Sequence, residues 1–196
     1  MNRRLIAAVV AVAALATVSC SSANETLAQQ YENGSEEGYI SGDGSTVEIP
    51  ASNRDEPVSY DATLDTGEPV SSADLLGSVY VVNFWYSSCP PCRLEAPDLA
   101  ALSLEYTEVP FLGVNVSDNA ATSRTFAEEF DVPYPSVLDA TTAGVQLAFA
   151  GSVPPNAVPT TLVVDRDGRV AARISGLVRD PSILAAMIDS VVAEAQ

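Results

Sequence analysis

The segment Val79-Tyr80-Val81-Val82-Asn83-Phe84-Trp85 is apolar except for one amide, and Cys89-Pro90-Pro91-Cys92 follows it after three residues. A strand of this length and β-branched content is buried on both faces, so layers must cover it above and below. Beyond the cysteines, Leu94, Leu99, Leu102 and Tyr106 recur at near-helical spacing within Arg93 to Tyr106. The two cysteines therefore sit where a buried strand hands over to a helix.

The remaining segments fit around that unit. Phe111 to Val116 and Thr161 to Asp165 read as further buried strands, and Thr122 to Phe130 as a helix. Asp165-Arg166-Asp167-Gly168 turns into Arg169 to Ile174 as a hairpin. Asp180 caps a closing helix to Ala195, with Leu184, Met187, Ile188 and Val191 on its apolar face. Upstream, Tyr39-Ile40 and Thr46 to Ile49 flank Gly42-Asp43-Gly44 as an N-terminal β-hairpin, and Asp65-Thr66-Gly67 makes a second turn between Val58 to Leu64 and Pro69-Val70. The class is α/β, a central mixed β-sheet flanked by helices with an extra N-terminal β-hairpin. With 196 residues, one domain over 39–196 is expected.

The start of the chain reads differently. Arg3 and Arg4 precede an apolar run from Leu5 to Val18, and small residues surround Cys20, so residues 1–20 read as an export signal. The run is about 14 residues, against the roughly 20 needed to span a bilayer. Cys20 after Val18-Ser19 resembles a bacterial lipobox, which implies lipidation of that thiol, although Thr17 departs from the usual Leu. Residues 21–38, poor in apolar side chains, form a solvated tether.

Composition narrows the chemistry. The sequence holds no His, which removes histidine bases, Cys-His pairs and imidazole metal ligands. Cys89 and Cys92 are the only thiols outside the leader, too few for a structural zinc site, so neither a metal nor a cofactor beyond the cysteine pair is expected. A net charge of −17 disfavours nucleic acid and points to neutral or basic protein partners.

At a helix start, the first sulfur of a Cys-x-x-Cys meets unpaired N–H groups and the positive end of the dipole, and the second can resolve a mixed disulfide. This assigns Cys89 as the exposed attacking thiol and Cys92 as the buried resolving one. Val81-Val82-Asn83-Phe84-Trp85, the cysteine pair, Glu95, Pro97 and Val158-Pro159-Thr160-Thr161 together resemble the ResA/TlpA/CcmG branch of extracytoplasmic thioredoxin-like thiol-disulfide oxidoreductases, over about residues 39–196. The resemblance implies a thioredoxin-like fold, a cis bond before Pro159, and a substrate segment paired beside it and facing Val158. It also implies that Glu95 tunes thiol protonation; taken alone, Glu95 is equally a favourable first-turn carboxylate. Asn83 stands where thioredoxins proper carry a buried Asp, and Trp85 reads as core and as the wall of the substrate site. Ser88 departs from the Trp that usually precedes the first cysteine.

Implied partners are exported protein thiols or disulfides, apocytochrome c among them, and a membrane electron donor or acceptor, with the protein held extracytoplasmically by its lipid. A copper-handling dithiol protein usually adds a His or Met near the pair, and neither stands there; a peroxidase would carry Thr where Tyr86 stands. Because Pro90 and Pro91 offer no N–H and Arg93 is opposed by Glu95, a reductant is expected over a strong oxidant.

Overall fold

The computed structural model describes residues 45–152 and 157–194. Its six-stranded sheet has the order β1-β8-β7-β4-β5-β6, built from β1 Thr46–Glu48, β4 Tyr80–Trp85, β5 Phe111–Asn115, β6 Ser136–Leu138, β7 Thr160–Val164 and β8 Val170–Ser175. β4, β5 and β6 run parallel, whereas β7 is antiparallel to β4, β8 to β7 and β1 to β8. Two short strands, β2 Asp61–Thr63 and β3 Pro69–Ser71, form a separate hairpin around the Asp65-Thr66-Gly67 turn. The helices are α1 Pro90–Glu105, α2 Ala120–Glu129, α3 Gly144–Ala148 and α4 Pro181–Ala193. This is the expected mixed sheet with helices on its flanks.

Strand periodicity decides which side chains can meet. Val79 and Val81 belong to the core that holds Leu99 and Leu102 of α1 and Leu184, Met187, Ile188 and Val191 of α4. Tyr80, Val82 and Phe84 join the opposite core, with Leu162, Val137 and Phe149. Asn83 and Trp85, in phase with Val81, therefore face the α1 side. That alternation brings an amide and an indole beneath the helix that carries the cysteines.

At the level of the fold, two expectations are extended and one is corrected. β1 pairs with the edge of β8, Thr46 opposite Ile174, while Tyr39-Ile40, the other half of the expected hairpin, lies outside the described residues. Leu94 is 69 % exposed despite its apolar spacing, because α1 buries the face of Glu95, Leu99 and Leu102 instead. β6 and α3 are additional to the elements read from the sequence. Arg54, in the segment after β1, ties it to the β7–β8 turn and the end of α4, donating to Asp165 at 2.9 Å and to both oxygens of Glu194 at 2.6 and 2.7 Å.

Candidate active site

Cys89 is the N-cap of α1, and Pro90 and Pro91 fill the first helical positions without contributing an N–H. The first available backbone donor is thus Cys92, whose N–H reaches Cys89 Sγ at 3.2 Å. The sulfurs are joined as a disulfide, with Cα atoms 5.3 Å apart.

Both cysteines are buried, at 1 % and 2 % exposure, which corrects the expectation of an exposed Cys89. The cause is local. The Cys89 N–H closes a turn on the Tyr86 carbonyl, and the sulfurs lie in a cluster with Trp85, Ala96 and Phe126, against which Tyr86 and Val158 pack. Burial does not separate the two thiols, but the N–H directed at Cys89 Sγ does.

Glu95 lies one helical turn beyond Cys92 and is 1 % exposed. Its Oε1 accepts from Asn83 Nδ2 and its Oε2 from the Val178 N–H, each at 2.9 Å. Burial pushes its pKa up to about 7, outweighing the two hydrogen bonds that favour the carboxylate. Asn83 also donates to Thr161 Oγ1 at 3.0 Å, so its amide spans β7 and α1. The carboxyl is therefore an enclosed group that titrates near neutrality, unlike a solvated first-turn carboxylate.

The Val158–Pro159 bond is cis, and the Pro159 carbonyl accepts from the Gly176 N–H at 2.8 Å. Val158 is half-buried against the cysteine cluster, so the structure brings it together with Cys89, Cys92 and Trp85. Cys20 lies outside the described residues.

Two further groups shape the site. Asp118 accepts from the Ser87 N–H at 2.6 Å, from Ser87 Oγ at 2.9 Å and from Asn115 Nδ2 at 2.9 Å, fixing the segment that leads into Cys89. A hint was present in Asn115-Val-Ser-Asp118, an Asx-rich turn at a strand end. Ser136 Oγ accepts from Trp85 Nε1 at 3.1 Å, while the indole stacks against Phe126 with centroids 4.2 Å apart.

The indole fits because Gly113 stands beside it on β5. A Cβ at Gly113 would overlap Ser136 Oγ and lie 2.8 Å from Trp85 Nε1. Gly113→Ala is expected to break the Trp85–Ser136 bond and cost about 1–3 kcal/mol, as overpacking does. Urea unfolding followed by the fluorescence of Trp85, the sole tryptophan, measures both effects; unchanged emission and midpoint would refute the close approach.

Known proteins resemble this chain. The Redoxin family matches residues 45–188. The thiol:disulfide interchange protein HelX of Rhodobacter capsulatus is 34% identical over 128 residues, covering 64% of this chain and 68% of HelX. The thiol-disulfide oxidoreductase ResA of Bacillus cereus is 29% identical over 112 residues, covering 56% of this chain and 62% of ResA, so the chain spans less than two thirds of that relative. Among solved structures, a DsbF homologue from Corynebacterium diphtheriae superposes with a TM-score of 0.67 at 28% identity, covering 78% of this chain and 96% of that one. With the disulfide at the strand-to-helix junction, the cis proline beside it and a match across most of its length, the chain belongs to the Redoxin family, among the thioredoxin-fold thiol-disulfide oxidoreductases.

Proposed function

We propose that the protein reduces disulfides of exported proteins, with Cys89 as nucleophile, Cys92 as resolving thiol and Glu95 as the group that exchanges protons with the pair. The Cys89 thiolate attacks one sulfur of the substrate disulfide, and the other substrate sulfur leaves as a thiolate. Cys92, deprotonated, then attacks Cys89 Sγ and releases the second substrate thiolate. Two electrons pass to the substrate, and Cys89–Cys92 becomes the disulfide. Val158 and Trp85 flank the attacked sulfur, and a membrane donor restores the dithiol.

The observation that carries the direction is the poverty of stabilising groups on Cys89. Only the Cys92 N–H reaches its sulfur among the described residues, since Pro90 and Pro91 have none to offer. Arg93, the neighbouring cation, is committed to Glu129 and to the Ser87 carbonyl. A strong oxidant needs a much better stabilised thiolate. The midpoint is expected nearer the roughly −270 mV of thioredoxin than the roughly −120 mV of the strongest periplasmic oxidant. Titration against glutathione tests this; a midpoint above about −160 mV makes the protein an oxidase of secreted dithiols.

The export signal read over residues 1–20 supports an extracytoplasmic setting, and its lipobox-like Cys20 supports a lipid anchor. An apocytochrome c cysteine pair is the substrate this reading favours. Capture on Cys92→Ser in the cell envelope identifies it, and recovery of no c-type apocytochrome would remove that substrate from the reading.

A further inference from the structure

Ser88 is exposed, and beside it opens a groove of about 540 Å³ between the start of α1 and α2. Its floor is the buried Phe126, and its walls carry Ser87, Ser88, Thr122 and Thr125, with Arg93 and Glu129 at the rim. We propose that this groove seats the substrate residue flanking the attacked cysteine and selects an uncharged or basic side chain there. The inference rests on the exchange reaction proposed above and deepens it.

Position is the first argument. Ser88 immediately precedes Cys89, and Phe126 is shared between the groove and the cysteine cluster. A polypeptide paired beside Val158 must cross the sulfur pair, and an extended chain advances about 3.3 Å per residue. Within one or two residues of its cysteine, the substrate reaches the groove.

Charge is the second argument. The only cation at the groove is spent: the Arg93 guanidinium pairs with Glu129, donates to the Ser87 carbonyl at 3.3 Å, and lies 4.7 Å from the Phe130 ring centroid. Arg124, the one cation of α2, donates to the Asp65 carbonyl. An acidic side chain would thus enter a groove whose one lining cation, Arg93, is already paired with Glu129, on a chain of net charge −17. An uncharged or basic side chain meets no such opposition, and the segment that carries it can meet the hydroxyls of Ser88, Thr122 and Thr125.

The test uses the full reduced protein and two kinds of oxidant. One is 2-hydroxyethyl disulfide, neutral and too short to enter the groove; the other is a set of disulfide peptides that carry Glu, Ser or Lys next to the attacked cysteine. The expected result is that the Glu peptide reacts at least fivefold more slowly than the Ser and Lys peptides. Thr125 is exposed on α2, and Thr125→Trp narrows the groove from its far wall. In that variant the ratio of the Lys-peptide rate to the small-disulfide rate is expected to fall about tenfold. An unchanged ratio, or equal rates for the three peptides, overturns the groove assignment while leaving the exchange reaction intact. Failure of the wild-type protein to react with 2-hydroxyethyl disulfide overturns the exchange reaction and this inference together.

Discussion

Cys89→Ser is expected to abolish disulfide exchange, roughly a thousandfold or more, because an alcohol at the helix cap cannot supply the thiolate that attacks. Cys92→Ser should behave differently. Its Cys89 keeps the backbone N–H of residue 92, which lies 3.2 Å from the sulfur and does not depend on the side chain there. The first attack therefore proceeds and the second stops, leaving substrate on Cys89. Mixing each reduced variant with an oxidised peptide, then measuring intact mass under non-reducing conditions, separates the two. A stable adduct is expected only with Cys92→Ser. An adduct on Cys89→Ser, with none on Cys92→Ser, would exchange the two roles. The oxidised protein carries no free thiol at either position, so alkylation cannot assign the roles in that form, and the adduct experiment carries the assignment.

The central strand and the helix after it were legible because a run apolar but for Asn83 and one proline-filled cysteine pair leave little freedom in that stretch. The α4 face was legible for a similar reason: Leu184, Met187, Ile188 and Val191 repeat at helical spacing, and all four are buried. β6 and α3 escaped because each is short, three and five residues, and their stability comes from tertiary partners. Asp139 illustrates this: it accepts from the backbone N–H groups of Val145 and Gln146, starting α3 from a distance no local propensity reports. Leu94 failed for the opposite reason, since its spacing fits an apolar face that the helix does not use.

Within the site, the pair and Glu95 could be placed by their offsets along one helix. Pro159 could not; thirteen prolines make the cis one unidentifiable from residues alone, and only the family resemblance singled it out. Gly113, Asp118 and Ser136 stayed hidden because their roles depend on β5 lying beside β4, a neighbour relation that sequence spacing does not encode. The burial of Cys89 was missed because a helix-cap position is usually open to water, and here the Tyr86 turn and Val158 close over it.

Glu95 should make the stability of the oxidised protein fall as pH rises through the weakly acidic range. Its folded pKa is about 7 against an ordinary value of 4.5, so between those values the folded state holds a proton that the unfolded state has released. The slope of stability with pH is then negative: the contribution is fully present below pH 4.5 and is lost as pH passes 7. At 1.36 kcal/mol per pKa unit the whole loss is about 3 kcal/mol. The Tyr134 phenol, held above its ordinary value by burial and then by the charge of Glu95, stays neutral throughout and adds no slope. The lowered carboxyls of Asp74 and Asp180 act in the opposite sense and at lower pH. Subtracting Glu95→Gln from wild type removes them. The variant has its own cost, because both Glu95 oxygens accept hydrogen bonds and the amide nitrogen of Gln would face a donor, about 1–3 kcal/mol. Wild type should therefore be the more stable form at pH 4.5, and that advantage should vanish or reverse by pH 7.5. Urea unfolding of both oxidised proteins at these two pH values measures it, and a difference that stays constant between them would show that Glu95 is already ionised at the lower pH.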